Sequence, residues 1–369
     1  MGKSIKKVKF IGMGGFLGAG KTTTLRRLAK HYTDKGLKVG IVTNDQAVNL
    51  VDTENLSKDG NYVTEVAGGC FCCKFDVLVD AIMKTRQVAD IILAEPVGSC
   101  TDVVATVVQP LLDIYHDELE VAPFSVLADP HRIKAILMDQ KGSFSEKVAY
   151  IYKKQLEEAD VIVLNKIDTL DSEARDRIKA FLSKEFSEKT VVAISALTGE
   201  GFADWFSFIE INKGTVGRHI TEVDYDIYAD GEAMLGWLNT AVNVTSSKHF
   251  NANNILLDLA HGLRNSFRIL KTEPAHLKIL MHAGNETGIV NLISNDMPPT
   301  VSRSVSNSSD KGQIIINARV EMHPDILQKE VKENLKELCS QYNLKAEIQS
   351  LESFKPGRPN PTHRYTKPI

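Results

Sequence analysis

The chain has 369 residues, and 44 basic against 47 acidic side chains leave a formal net charge of −3. Proteins that bind nucleic acid or anionic membranes carry a large positive excess, so this balance excludes both as partners. Hydrophobic residues make up 43% and charged residues 25%. This composition excludes disorder and fibrous repeats, and the length predicts about two globular domains.

The first nine residues are basic, but the sequence that follows them does not have the pattern of a secretory signal peptide. Phe10–Gly15, which follows them, is a short apolar run ending in glycines and not the hydrophobic region of a signal peptide. No stretch reaches the ~18 consecutive apolar residues that a membrane-spanning helix needs. Five cysteines are too few for a disulfide scaffold of this size, so we expect a reducing, cytoplasmic location.

Residues 1–212 alternate short apolar runs with amphipathic stretches. Strands that are buried on both faces are short, apolar and β-branched, so the alternation predicts an α/β fold with a mostly parallel sheet covered by helices. The predicted strands are Val8–Met13, Lys38–Thr43, Tyr62–Val66, Asp90–Ala94, Phe124–Ala128, Val161–Leu164 and Val191–Ile194. The predicted helices are Thr22–Lys35, Val77–Val88, Asp102–Tyr115, Glu146–Glu158, Asp171–Phe186 and Phe202–Glu210.

The second half of the chain has a different pattern. Residues 213–226 are polar and predict a linker, residues 227–354 predict a smaller α+β domain, and the proline-rich residues 355–369 predict an extended tail. The βαββαβ-like order is typical of ferredoxin-like domains, with residues 302–309 as a loop. The predicted elements are the strands Trp237–Thr245, Lys278–His282, Ile289–Ser294, Gln313–Glu321 and Ala346–Phe354 and the helices Asn253–Phe267 and Pro324–Tyr342.

A phosphate-binding loop is the strongest motif. Residues 15–22 read Gly-Phe-Leu-Gly-Ala-Gly-Lys-Thr and match G-x-x-x-x-G-K-[ST] between a predicted strand and a predicted helix. In such a P-loop the backbone N–H groups approach phosphate oxygens, Lys21 reaches the outer phosphates, and the Thr22 hydroxyl is placed for Mg²⁺. The alternative is a glycine-rich turn before a helix, which requires neither Lys nor Thr. The predicted nucleotide-binding residues here are Gly15, Gly18, Ala19, Gly20, Lys21, Thr22 and Thr23.

A second motif, Asn165-Lys166-Ile167-Asp168, predicts that the base is guanine. It follows a predicted buried strand, where ligands bind open α/β sheets. The Asp168 carboxylate can accept from two N–H donors of guanine, whereas adenine offers no such pair. The alternative is a helix N-cap by Asp168 followed by polar turn residues. Ser195 and Ala196, at the end of the next predicted strand, complete the base pocket in this interpretation.

Two acidic residues are candidates for the metal and the attacking water. Glu95 ends a predicted strand and begins Glu-Pro-Val-Gly, in which the Gly98 N–H can face the terminal phosphate. Asp45 follows the strand Lys38–Thr43 in the same way. Either carboxylate can serve Mg²⁺ or orient water, and the alternative for each is an ordinary loop acid. We therefore predict Lys21, Asp45 and Glu95 as catalytic, with Thr22, Asp45 and Glu95 serving Mg²⁺.

Cys70, Cys72 and Cys73 lie in Gly-Gly-Cys-Phe-Cys-Cys between a predicted strand and a predicted helix. Thiolates favour Zn²⁺ or Cu(I), and three ligands from one loop leave a fourth coordination position, which suits a site that loads and releases metal. Buried small hydrophobic residues and a redox dithiol are the alternatives. For Cys100 two roles are expected as alternatives, an extra ligand of the same metal or a buried residue without a ligand role. Cys339 is expected in the hydrophobic core.

These motifs, in this order, resemble the CobW-type GTPases, which are relatives of the nickel-insertion GTPases UreG and HypB. The resemblance covers residues 7–212. It implies a P-loop GTPase that uses GTP and Mg²⁺, binds Zn²⁺ or Co²⁺ at its C-x-C-C cysteines, and delivers the metal to a client under control of its GTP state. It also supports a Mg²⁺ or water-positioning role for Asp45. The C-terminal half departs from the family pattern, because it lacks the Gly/Arg/Lys-rich strand motif and a histidine-rich tract.

The expected partner is a client metalloprotein or cofactor-dependent enzyme, and homodimerisation is left open. Two other interpretations remain. In one, the GTPase gates loading of a corrinoid cofactor and the cysteines are structural. In the other, the chain is a nucleotide-switched interaction module that binds its client through the C-terminal domain and the tail.

Overall fold

The computed structural model of the protein describes residues 7–45, 62–139, 144–211 and 216–369. The chain divides into two compact units. The first unit comprises Met1–Gly142, Ala149–Tyr228 and Pro359–Ile369, and the second comprises Ser143–Val148 and Ala229–Arg358. Within the described ranges, no helix is both long and apolar enough to cross a membrane.

The first unit is built on a parallel sheet, as the sequence predicts. In the part of the chain that the structure describes, the sheet has eight strands in the order β3-β2-β4-β1-β6-β7-β8, with β5 pairing with β1. Because the strands are parallel, their carboxyl ends meet at one edge. The strands are β1 (Val8–Gly15), β2 (Val39–Asp45), β3 (Tyr62–Ala67), β4 (Ile91–Glu95), β5 (Leu119–Val121), β6 (Ser125–Ala128), β7 (Val161–Leu164) and β8 (Thr190–Ala193).

Helices connect these strands, and the mostly parallel P-loop NTPase architecture is thereby confirmed. They are α1 (Lys21–Asp34), α2 (Phe75–Thr85), α3 (Gln109–Ile114), α4 (Glu146–Glu158), α5 (Ser172–Glu185) and α6 (Phe202–Ile211). Shorter helical segments are the π-helical Val104–Val108 and Ile133–Met138, the α-helical Pro130–Arg132 and the 3₁₀ turn Ile167–Thr169.

One predicted helix differs from the structure. The segment predicted as a single helix from Asp102 to Tyr115 is π-helical over Val104–Val108 and becomes the short helix α3 only from Gln109. Pro110 lies in the first turn of α3. Its ring carries no N–H, so it cannot donate a bond to the preceding turn, and regular α-helical bonding is interrupted there.

The core of the first unit packs α1 and α6 against the sheet. Leu25 and Leu28 of α1 are buried against Ile11 and Met13 of β1. Trp205 of α6 is fully buried, and its indole N–H donates to Ser125 Oγ at 3.0 Å. This packing fixes the strand ends that carry the motifs.

The second unit is a separate antiparallel sheet, which confirms the predicted smaller α+β domain. Its described strands are in the order β12-β11-β10-β13-β9-β14. The four strands β14-β9-β13-β10 have the ferredoxin-like order, and β11 and β12 extend one edge. The strands are β9 (Leu235–Phe250), β10 (Pro274–Ala283), β11 (Glu286–Leu292), β12 (Thr300–Arg303), β13 (Ser309–Glu321) and β14 (Leu344–Phe354).

Three further helices follow α6 in the described chain: α7 (Tyr225–Met234), α8 (Ala252–Ile269) and α9 (Pro324–Tyr342). The helices α8 and α9 share one hydrophobic core with alternate residues of the sheet, such as Leu277, Ile279 and Met281 of β10. The helix α7 begins inside the segment that the sequence predicts as a linker. The residue in the sequence that could have predicted the start of α7 is Asp224. Its carboxylate accepts from the N–H groups of Asp226 and Ile227 and caps the first turn of the helix.

Candidate nucleotide and metal site

The phosphate-loop motif lies between β1 and α1, at the carboxyl edge of the parallel sheet. Gly15, Gly18 and Gly20 all have positive φ, a conformation that L side chains rarely adopt. A Cβ on Gly15 would lie 2.5 Å from the Leu127 carbonyl oxygen. A Cβ on Gly20 would lie 2.5 Å from Asn165 Nδ2. The loop can therefore take this path only with glycine at these two positions.

The Lys21 side chain lies across this loop. Its Nζ donates to the carbonyl oxygens of Gly15 at 2.9 Å and Phe16 at 3.3 Å. Lys21 is also the first residue of α1, so the ammonium and the positive end of the helix act on the same space. This arrangement attracts phosphate oxygens. Ala19, within the loop, is buried, and Thr23 is exposed in the first turn of α1.

Glu95, the last residue of β4, meets the start of α1. The Thr22 hydroxyl donates to both carboxylate oxygens of Glu95 at 3.4 Å. The segment that follows β4 then packs on the phosphate loop, because a Cβ on Gly98 would lie 2.8 Å from Lys21 Nζ and 3.1 Å from the Leu17 amide nitrogen. A hydroxyl and a carboxylate beside the lysine that is predicted to bind phosphate offer the oxygen ligands that Mg²⁺ prefers.

Asp45 is the last residue of β2. Its side chain lies outside the described residues, so its role in catalysis and Mg²⁺ binding stays a prediction.

Asn165 joins the phosphate loop to the loop after β8. Its Nδ2 donates to the Ala19 carbonyl oxygen at 2.9 Å, and its Oδ1 accepts from the Ala196 N–H at 2.9 Å. Arg27 of α1 supports the same loop by donating to the carbonyl oxygens of Ala196 and Leu197 at 2.9 and 2.7 Å. These contacts bring the predicted phosphate and base residues into one continuous surface.

Asp168, the residue predicted to bind the base, lies in the turn after β7. Its Oδ1 accepts from the Ser195 hydroxyl at 2.5 Å, and Ser195 Oγ accepts in turn from the Thr198 N–H at 3.0 Å. These hydrogen bonds orient the Asp168 carboxylate.

Asp129 is a residue of the site that sequence reasoning missed. Lys166, in a left-handed backbone conformation, donates from Nζ to the Gly18 carbonyl oxygen at 2.7 Å and pairs with Asp129 Oδ2 at 2.7 Å. Burial acts to raise the pKa of Asp129, but Lys166 and Arg132 outweigh it and hold that pKa below its ordinary value. The signal available in the sequence was Asp-Pro at a strand end, which is typical of a helix N-cap.

The cysteine loop connects β3 to α2. Gly68 and Gly69 have positive φ and turn the chain out of the strand. The Sγ atoms of Cys70, Cys72 and Cys73 lie within 4.8 Å of one another, with Cys70–Cys72 at 2.9 Å and Cys72–Cys73 at 3.8 Å. Sulfur atoms this close can bind one metal ion, and the set fits the C-x-C-C motif.

Asn44 holds the cysteine loop in place. This residue of β2 donates from Nδ2 to the carbonyl oxygens of Val66 at 2.9 Å and Gly69 at 2.7 Å, and its Oδ1 accepts from the Phe71 N–H at 2.9 Å. It immediately precedes Asp45 in the chain. The sequence offered no signal for this role beyond its place at a strand end.

Cys70 and Cys72 are buried, whereas Cys73 is half-buried. Hydrogen bonds from Cys100, Cys72 and Cys73 lower the pKa of the Cys70 thiol, which favours the thiolate form that binds metal. The hydrogen bonds to Cys70 and Cys73, together with burial, raise the pKa of Cys72. Hydrogen bonding within the cluster therefore acts on the pKa values of Cys70 and Cys72 in opposite directions.

The C-terminal tail runs past this loop within the first unit. The Asn360 N–H donates to Cys73 Sγ at 3.1 Å, and the Thr362 N–H donates to the Cys72 carbonyl oxygen at 3.2 Å. The tail is then anchored by Arg364, whose Nε donates to Asp102 Oδ2 at 2.6 Å. The prediction of an extended segment did not anticipate that it lies against the cysteines.

Comparison with known proteins agrees with these motifs. Residues 9–193 match the family model "CobW/HypB/UreG, nucleotide-binding domain". The chain is 28% identical over 231 residues to the zinc chaperone CobW of Pseudomonas aeruginosa, covering 54% of this chain and 59% of that protein. It is 26% identical over 184 residues to the zinc chaperone YeiR of Escherichia coli, covering 48% of this chain and 52% of that protein. The chain thus spans just over half the length of these curated relatives.

Among solved structures, the Zn(II)-bound YjiA GTPase from E. coli aligns with a TM-score of 0.37 at 14% identity, over 90% of this chain and 99% of that one. The family model covers half of the chain, and the matched residues include the Cys70, Cys72 and Cys73 cluster, which fits a C-x-C-C motif. The chain therefore belongs to the CobW/HypB/UreG family of P-loop nucleotide-binding proteins.

Proposed function

We propose that this protein is a GTP-hydrolysing metallochaperone. It binds Zn²⁺ or Co²⁺ at Cys70, Cys72 and Cys73 and couples GTP binding and hydrolysis to delivery of the metal to a client protein. The observation that carries the proposal is the convergence of three thiol sulfurs within 4.8 Å on the loop after β3, at the same edge of the parallel sheet as the phosphate loop after β1. The names of its relatives, zinc chaperones CobW and YeiR, support zinc as the cargo.

The donor set suits transfer of a soft or borderline metal. Thiolates favour Zn²⁺ and Co²⁺ over Mg²⁺, which prefers oxygen ligands. Cys73 is only half-buried, so a client can approach one of the sulfurs from solvent. Thiolates that bind a metal must stay reduced, so we propose that the protein acts in a reducing compartment, the cytoplasm.

The nucleotide site is proposed to act by positioning and charge neutralisation. Lys21 contacts the outer phosphates, Thr22 and Glu95 hold Mg²⁺, and the Gly98 N–H faces the terminal phosphate. The residues proposed to bind guanine are Asn165, Lys166, Asp168, Ser195 and Ala196. Asp45 remains the candidate for orienting water.

Asn44 offers a route by which the nucleotide state reaches the metal. Its side chain bonds to three backbone groups around the cysteine loop, while the next residue, Asp45, is a candidate for contact with Mg²⁺ or water. A shift at the end of β2 on hydrolysis would therefore change the geometry of the thiols. Binding linkage is reciprocal, so bound metal must change nucleotide affinity by the same factor.

The test is the affinity for Zn²⁺, measured by competition with a chromophoric chelator, with a non-hydrolysable GTP analogue and with GDP. We expect the two affinities to differ by about 5–150-fold, the usual range of allosteric coupling. A variant with Cys70→Ser, Cys72→Ser and Cys73→Ser should lose the binding, whereas Cys339→Ser should retain it. Equal affinities in both nucleotide states would refute the coupling, and retained zinc in the triple variant would refute the site.

A further inference from the structure

Cys100 lies next to the three-cysteine cluster although it is 27 residues away from Cys73 in the sequence. It follows β4, in the segment that packs on the phosphate loop. The residue is 5% exposed, and its side chain hydrogen-bonds to the Cys70 thiol. A fourth sulfur therefore adjoins the cluster from an element other than the cysteine loop.

Three thiolates from one loop leave a tetrahedral Zn²⁺ one ligand short. In the described chain only the sulfurs of Cys70, Cys72 and Cys73 lie within 4.8 Å of one another, so Cys100, which hydrogen-bonds to Cys70, would supply that ligand by moving its side chain toward the other two sulfurs. The surroundings also suit additional negative charge. The helix α2 begins directly after the loop and directs its positive end toward it, and the Asn360 N–H donates to Cys73 Sγ.

Cys100 is also rigidly connected to the nucleotide site. Its N–H donates to the Val97 carbonyl oxygen at 3.0 Å. The buried Gln155 amide donates to the carbonyl oxygens of both Gly98 and Cys100, at 3.0 and 2.8 Å. Gly98 packs against Lys21 and Leu17, so a displacement of Gly98 at the phosphate loop would be passed to Cys100 through the Gln155 amide that binds both carbonyl groups.

We propose that Cys100 is the fourth thiolate ligand of the metal and that it transmits the nucleotide state to the cluster. This proposal rests on the proposed metallochaperone function. When the segment after β4 holds Cys100 near Cys70, the metal has four sulfur ligands. When the segment shifts, the metal keeps three sulfurs and an open position, from which a client thiolate or imidazole can take it.

The experiment uses the full-length chain loaded with Zn²⁺ and compares wild type with Cys100→Ala, Cys100→Ser and the matched control Cys339→Ser. X-ray absorption at the zinc edge counts sulfur neighbours at ~2.3 Å. We expect four sulfurs in wild type and the control, and three in both Cys100 variants. Zinc affinity in the tighter nucleotide state should fall by at least about tenfold, the smaller loss seen when even an outer-shell partner is removed. The affinities in the two nucleotide states should then become equal.

Binding of a fluorescent GTP analogue confirms that each variant is folded. Three sulfurs in wild type, together with unchanged zinc affinity in both Cys100 variants, would overturn the role of Cys100 and leave the metallochaperone function intact. Failure of wild type to bind zinc, or binding that persists without Cys70, Cys72 and Cys73, would overturn both. The two failures are therefore distinguishable.

Discussion

The anchoring of the C-terminal tail provides a quantitative prediction. Arg364 forms a two-point contact with Asp102, with Nε–Oδ2 at 2.6 Å and one terminal nitrogen to Oδ1 at 3.4 Å. The Asp102 side chain is 1% exposed and that of Arg364 is 28% exposed. Tyr225 also donates from its hydroxyl to Asp102 Oδ2 at 2.6 Å. The substitution Arg364→Met keeps much of the side-chain length but leaves a buried carboxylate without its cation.

Breaking a fully buried pair costs about 3–5 kcal/mol, and breaking an exposed pair costs about 0–1 kcal/mol. Since Arg364 is partly exposed and Tyr225 still donates to the carboxylate, we expect Arg364→Met to cost about 2 kcal/mol in the first unit at pH 7. Lys367→Met removes the same charge from an exposed position of the tail. It should cost less than about 0.5 kcal/mol.

The cost should depend on pH. Burial raises the pKa of Asp102, although Arg364 and Tyr225 oppose the rise. A carboxyl whose pKa is raised by folding contributes less stability as pH rises through that value. Without Arg364 the pKa rises further, so the gap in stability between wild type and variant should widen from about pH 4 to pH 7.

The measurement is urea unfolding followed by tryptophan fluorescence. The chain has two tryptophans, with Trp205 in the first unit and Trp237 in the second. In a Trp237→Phe background, the fluorescence of Trp205 reports the first unit alone. Equal free energies of unfolding for Arg364→Met and Lys367→Met, or a gap that does not change with pH, would refute the reasoning.

Three further predictions concern the nucleotide site and its support. Gly20→Ala should abolish nucleotide binding in an equilibrium titration, because the new Cβ would meet Asn165 Nδ2. The control Gly36→Ala is also at positive φ but faces open space, so it should keep nucleotide binding. Equal losses of binding in the two variants would contradict this prediction. Asp168→Asn should shift preference from GTP to XTP in a competition assay, since an amide can donate to the 2-oxo group of xanthine; unchanged GTP preference would remove Asp168 from base recognition. Burial raises the pKa of Glu158 to about 8. Between about pH 5 and 8 the folded protein therefore keeps a proton on Glu158 that the unfolded chain loses. The free energy of unfolding should fall across this range by up to ~1.4 kcal/mol per pH unit. Glu158→Gln should flatten that fall in urea unfolding, and parallel curves for the two proteins would contradict it.

Local sequence determined the elements and motifs whose physical causes lie within a few residues. The alternation of short β-branched runs with amphipathic stretches predicted the parallel sheet, because strand burial is visible in composition alone. The glycines of the phosphate loop and the cysteines of the C-x-C-C loop are contiguous, so their chemistry could be read directly. Short elements such as β5 and β12, and the helix α7, were missed because three- to ten-residue segments carry too little periodicity.

The contacts between distant segments were decided only by the tertiary structure. The pairing of Lys166 with Asp129, the Asn44 bonds to the cysteine loop, and the approach of Cys100 to Cys70 each join residues that are more than 20 positions apart. The tail shows the same limit, since its proline content predicted an extended chain but not the groups that it contacts. Composition and spacing determine which side chains are available. Which of them meet depends on the order of strands in the sheet, because parallel strands bring their carboxyl ends to one edge whatever their separation in the chain.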